Sequence, residues 1–200
     1  VPAELNVDFK PGENSRYLKT ILKMVLGQET MGRGNKKTFN GSVSWIDPQG
    51  YLQITDAKIK IHGDDLDHIS RSWNKLSNDG SAVFWGNLHS SLKIKLLDKN
   101  IGGVTQFKLL LPKSRSGDSE IFIATFIESA GLISPYTRMI EMNLFGRQHK
   151  MIFQEKVAKE LLERWGFREG PLLEGDERQY YEAIIKERSR NWGFFRMENR

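Results

Sequence analysis

Gly41-Ser-Val-Ser-Trp-Ile-Asp-Pro-Gln-Gly-Tyr-Leu-Gln-Ile-Thr-Asp-Ala-Lys-Ile-Lys-Ile-His62 is the stretch that decides the fold class. Gly41 to Ile46 reads as a strand, Asp47-Pro-Gln-Gly50 as a turn, and Tyr51 to Ile54 as the returning strand. Ala57, Ile59 and Ile61 then alternate with Lys58, Lys60 and His62. Strict period two with polar partners predicts an antiparallel sheet that buries one face and solvates the other. The same alternation returns in Ser91-Leu-Lys-Ile-Lys-Leu96 and Gln106-Phe-Lys-Leu-Leu-Leu111. Tyr136 to Leu144 and Lys150 to Gln154 flank Gly146 and read as a hairpin.

Helical periodicity interrupts the strands. Tyr17, Leu18, Ile21, Leu22 and Val25 predict an amphipathic helix over 14–26 that stops at Gly27, ahead of a polar, Gly-rich loop over 28–40. Asp118 offers an N-cap, and Ile121, Phe122, Ala124, Thr125, Phe126, Ile127 and Ala130 predict a helix buried on more than one side. Val157, Leu161, Leu162 and Trp165 mark another, and 177–190 reads as a last, charged helix with Tyr180, Tyr181, Ile184 and Ile185 on its apolar stripe. Ser70 to Gly80 reads as irregular.

The expected fold class is therefore α+β: an antiparallel sheet with one buried helix, an N-terminal helix and a C-terminal helical extension. The chain divides on this reading into residues 1–40, 41–155 and 156–200.

Composition narrows the function classes. At 200 residues with 38% hydrophobic content, the chain is long enough for a substantial core. Its net charge of +5 is spread along the sequence, so no basic tail points to nucleic acid. Zero cysteines exclude a disulfide framework, a thiolate zinc site and a cysteine nucleophile. No apolar run approaches the roughly 20 residues of a spanning helix, so no membrane segment is expected. The first residue is Val1, and both termini are treated as boundaries of an excised segment.

Several phrases resemble the CotH kinase family, which takes its name from a spore-coat protein. They are Lys58-Ile-Lys-Ile-His-Gly-Asp64, Ser91-Leu-Lys-Ile-Lys-Leu96, Phe107-Lys-Leu-Leu-Leu-Pro112 with Arg115-Ser-Gly-Asp-Ser-Glu120, Gly131-Leu-Ile-Ser-Pro135, Phe153-Gln-Glu155, and Arg168-Glu-Gly-Pro171 with Glu174-Gly-Asp-Glu177. The resemblance implies a kinase-like small lobe, with its hinge and the start of a truncated large lobe. It implies ATP and Mg²⁺ as cofactors of the full-length protein, a protein hydroxyl as acceptor, and a setting at the spore surface or cell envelope. The alternative is a non-catalytic scaffold for surface or coat assembly.

The resemblance also nominates residues. Lys93 or Lys95 would contact the phosphates, with Glu120 or Glu128 on the helix as partner; alternatively both lysines are ordinary solvent-facing sheet residues. Gln154 and Glu155 would lie at the hinge beside the adenine edge. No catalytic residue is assigned, because no Asp in the chain has Asn five residues later, the spacing of a kinase catalytic loop. The family's catalytic Asp and Asn and its Trp-Asp-x-Asp metal phrase are expected beyond Arg200.

Three further motifs carry weaker signals. His62-Gly-Asp64 resembles the start of a phosphotransferase loop, but Ile69 occupies the metal-binding Asn position. Asp64, Asp65, Asp67, His62 and His68 crowd together as a turn would, with nothing to fix a metal geometry. Gly27 to Gly32 has P-loop spacing, but Arg33 replaces the Lys and Gly34 the Ser or Thr.

Overall fold

The computed structural model describes residues 1–27, 37–63, 66–71 and 88–172. Of the glycine loop predicted over 28–40, residues 28–36 lie outside the described residues, as do Asp64 and Asp65, residues 72–80 and the helix over 177–190, whereas Thr38 to Asn40 are strand and not loop. The chain divides into two compact units, Val1–Glu169 and Gly170–Arg200.

Seven strands close into a barrel. In chain order the elements are β1 (Glu4–Phe9), α1 (Glu13–Gly27), β2 (Thr38–Ile46), β3 (Leu52–Ile61), β4 (Ile69–Arg71), β5 (Leu88–Ser90), β6 (Leu92–Leu96), β7 (Gln106–Leu110), α2 (Ser119–Ser129), β8 (Thr137–Leu144), β9 (Arg147–Glu155) and α3 (Lys159–Arg164). Around the wall the order is β1-β2-β3-β6-β7-β9-β8, and β4 with β5 forms a separate two-stranded ribbon. Neighbours are antiparallel except β1 and β8, which run parallel with Leu5 opposite Met142 and Val7 opposite Leu144.

This closure corrects the expected fold class. The protein is a closed β-barrel with short helices and does not have the kinase-like α+β small lobe. An open sheet needs a helix to cover its apolar face, whereas a closed sheet covers that face with itself. Leu5, Val7, Phe39, Val43, Ile59, Ile94, Phe107, Met142 and Phe153 all point into one interior and are buried.

The helix expected to be buried is not. Of α2 only Ala124 is buried, while Phe122, Ile123 and Phe126 are exposed. α2 lies outside the barrel against β8. The helix that enters the core is α1, whose Tyr17, Ile21 and Met24, spaced four and three residues apart, are fully or almost fully buried. Tyr17 stacks on Phe9 and meets Phe39 edge to face, and its phenol bonds Ser90 Oγ at 3.1 Å. α1 thereby fixes one end of the barrel and ties the β4–β5 ribbon to it. Close packing of the wall needs Gly41: a Cβ there would collide with the Asp8 carbonyl oxygen and the Ile59 side chain.

Candidate functional site

Outward-pointing side chains carry the chemistry, because the inward ones fill the core. On β6 the burial alternates, with Leu92, Ile94 and Leu96 inside and Lys93 and Lys95 outside. Strand register then decides what stands beside each lysine. Lys93 lies opposite Lys60 on β3 and opposite Lys108 on β7. The row continues from Lys108 to Gln154 on β9 and from Gln154 to Thr137 on β8. A second row runs from Asn40 through Lys58 and Lys95 to Gln106. Lys58 donates to Asn40 Oδ1 at 2.6 Å, and Lys156 donates to Gln106 Oε1 at 3.4 Å.

Three ammonium groups on adjacent strands of one row repel one another. Like charges directly opposite destabilise a sheet unless other groups compensate them. Lys93 and Lys108 also interact with other groups of the protein. A polyanion laid across the row would turn that repulsion into attraction, and phosphate oxygens match ammonium donors.

Glu120, in the first turn of α2, reaches this face through Gln154, whose amide nitrogen donates to Glu120 Oε1 at 2.6 Å. The structure thus gathers Lys93, Gln154 and Glu120 on one outer face, with Lys108 standing between Lys93 and Gln154. Lys95 sits one row away. Glu128 is at the far end of α2, where its charge acts on Tyr136: burial first, and Glu128 after it, raise that phenol's pKa, while Arg138 and Arg164 oppose.

Glu155 belongs to different chemistry. Neighbouring residues on β9 face opposite ways, so Glu155 points away from Gln154. It is buried, receives Arg164 at 2.7 Å and the Tyr136 amide at 3.0 Å, and its Oε1 makes no hydrogen bond among the described residues. The main chain here is engaged within the sheet: Glu155 N–H donates to the Tyr136 carbonyl and Lys156 N–H to the Gln106 carbonyl. Arg164 also donates to the Ser134 carbonyl, as does the Trp165 indole, and Ser134 Oγ donates to the Ala124 carbonyl. Glu155 is thus the buried centre of a polar tie that reaches α2.

Lys60 and Lys108 escaped the sequence reading as members of a site. Their alternation was visible, but only the register shows that they flank Lys93. Near the His62 phrase, the His62 and His68 rings meet edge to face at 5.6 Å and His68 Nδ1 lies 3.1 Å from Ser91 Oγ. Among the described residues, no group of three or more His, Asp or Glu is placed to hold a metal, and no helix is long and apolar enough to cross a membrane.

The chain matches no known family model and has no significant match among curated proteins.

Proposed function

We propose that this chain binds the phosphate tail of ATP across the outer barrel face bearing Lys60, Lys93 and Lys108, as the nucleotide-binding part of a protein kinase resembling the CotH family. The observation that carries the reading is the register row of three lysines, with Gln154 and Glu120 at its end. Phosphoryl transfer relies on positioning and charge neutralisation, and a row of fixed cations supplies both. The kinase phrases in the sequence add to this, although the barrel removes small-lobe geometry from the case. Among the described residues the face offers several cations to phosphate and one carboxylate, Glu120, to a metal. Magnesium would therefore be held there chiefly by the nucleotide's own oxygens.

Titration calorimetry with ATP, ADP and AMP tests the reading. Affinity should fall in that order and weaken with salt, because the phosphates make the contacts. Equal affinities, or no binding of any of the three, would refute it. With ATP and magnesium the chain should show no phosphoryl transfer, since it holds no Asp with Asn five residues on. Transfer by the purified chain that is lost on mutating one of its own residues would overturn that expectation.

A further inference from the structure

Two exposed apolar patches lie outside the row of Lys60, Lys93 and Lys108. The first is the end of the β2–β3 hairpin, where Ile46 pairs with Leu52 on the outer face, Ile54 follows two residues on, and Tyr51 caps the turn. Tyr51 is 68% and Leu52 59% exposed, and Leu97, also exposed, stands further along the strand, its amide bonded to the Asp56 carbonyl. The second is α2 and the segment after it: Phe122 is 70% and Phe126 66% exposed, with Ile123, Leu132 and Ile133 also exposed. The Phe122 and Phe126 rings stack at 6.5 Å.

Taking roughly 200 Å² per large side chain, each patch offers about 500 Å² of apolar surface. One patch of that size is the usual maximum on a monomer, and such patches are often functional. Wall order keeps the two apart. β2 and β3 are separated from β8 and β9 by β1 on one side and by β6 and β7 on the other, so the patches face opposite directions and cannot cover each other within one chain.

Their charges are complementary. Beyond the hairpin patch the same outer face carries Lys58 and Lys95, and Lys99 donates to Gln53 on the hairpin itself. Of the carboxylates nearby, Asp56 is paired with Lys10 at 2.8 Å, while Asp47, which accepts from the Gln49 and Tyr51 amides and the Gln53 side chain, and Asp98 both oppose the lysines and leave the face with a small positive excess. From Asp118 to Ile133 the chain has Asp118, Glu120 and Glu128 and neither Lys nor Arg; Arg138 and Arg164 act beside Glu128 on Tyr136, so the acidic character is strongest at the N-terminal end of α2.

We propose that the α2 patch of one copy of this chain docks on the hairpin patch of the next. The inference does not depend on nucleotide binding. A stable interface buries about 800 Å² per partner, and homomeric interfaces are about 65% apolar, so patches near 500 Å² suit a contact of ordinary size. Because the joined surfaces differ, the contact is head to tail. It leaves one patch open at each end, and copies add until a ring closes or a filament grows.

Sedimentation velocity on the full chain tests this with two double variants. Leu52→Glu with Ile54→Glu disables the hairpin patch, and Phe122→Lys with Phe126→Lys disables the α2 patch. Wild type should form species that grow with concentration, and self-association of each variant should weaken at least tenfold. An equimolar mixture of the two should form a one-to-one complex that grows no further, because each contributes its one intact patch. If a charged variant fails to fold by circular dichroism, the pairs Leu52→Thr with Ile54→Thr and Phe122→Ser with Phe126→Ser replace it. A wild-type chain that stays monomeric, a variant that associates with itself as wild type does, or a mixture that forms no complex would each overturn the proposal. A monomeric chain that floats with phosphatidylserine vesicles would assign the hairpin patch to a lipid surface instead.

Discussion

α1 and α2 reverse the usual relation between composition and burial. α1 is amphipathic, with as many polar as apolar residues, and it places Tyr17, Ile21 and Met24 in the core. α2 is apolar nearly all round, yet it buries only Ala124. The difference lies in the surface each one meets. α1 closes an end of the barrel, where several apolar side chains converge around a bulky aromatic ring. α2 lies on the convex outside of the wall, where a helix touches along a strip and a small residue permits the closest approach. Hydrogen bonds do for α2 what burial does for α1: Glu120 to Gln154 at one end, and Ser134 to Ala124 with Arg164 and Trp165 behind it at the other.

The contrast breaks most directly by truncation. Tyr17→Ala should cost about 3–5 kcal/mol in denaturant unfolding, the usual penalty for emptying a buried aromatic site, whereas Phe122→Ala should stay within about 0.5 kcal/mol. Similar losses for the two would contradict the burial assigned to them. Arg164→Ala probes the polar tie. It leaves Glu155 buried without its cation and should cost about 3–5 kcal/mol, and Arg164→Lys should restore only part because one bidentate-capable fork is lost. An unchanged unfolding midpoint would remove Glu155 from that role.

pH sharpens the α1 end. Burial pushes the Tyr17 phenol up to about 12, against the Ser90 hydrogen bonds that lower it. The folded state thus holds this proton where the unfolded chain gives it up. Stability contributed by the neutral phenol is complete below pH 10 and declines as pH rises through 10 to 12, by roughly 2–3 kcal/mol in total. Tyr17→Phe should flatten that slope, and an identical slope in the variant would count against it.

A smaller effect of opposite sign is expected from His149, whose ring is tilted against that of His89 with centroids 3.8 Å apart. Burial, and secondarily the Arg147 charge, hold its pKa below the ordinary imidazole value. The unfolded chain therefore binds the proton first, and stability falls as pH drops through and below the mid-sixes. His149→Gln should reduce that acid-side loss in thermal melts.

Strand alternation was legible where it was strict: Lys58 to Ile61, Leu92 to Leu96 and the Gly146 hairpin all stand as strands where period two put them. Closure was not legible. β1 is six residues long, and its Leu5, Val7 and Phe9 alternate with Glu4, Asn6 and Asp8, yet its value lies in a parallel pairing with β8 more than a hundred residues away. No local pattern encodes such a pairing. The same limit hid α2: Ile121 to Ile127 reads as a buried helix because composition reports apolar surface and not the shape of what it meets. Among the candidate site residues, the outward direction of Lys93 and Lys95 followed from alternation alone, whereas their separation into different rows, and the opposite facing of Gln154 and Glu155, needed the register and the strand ends.

On the proposed function, Lys93, through its row with Lys60 and Lys108, should hold phosphate more tightly than Lys95 does. Calorimetric titration of ATP into wild type, Lys93→Met and Lys95→Met, with folding verified by thermal melts, tests it directly. A charge-assisted contact is worth about 1.5–3 kcal/mol, so Lys93→Met should weaken ATP about tenfold or more, while Lys95→Met should change it less than about threefold. Equal and negligible effects of the two substitutions, with the fold intact, would contradict the account.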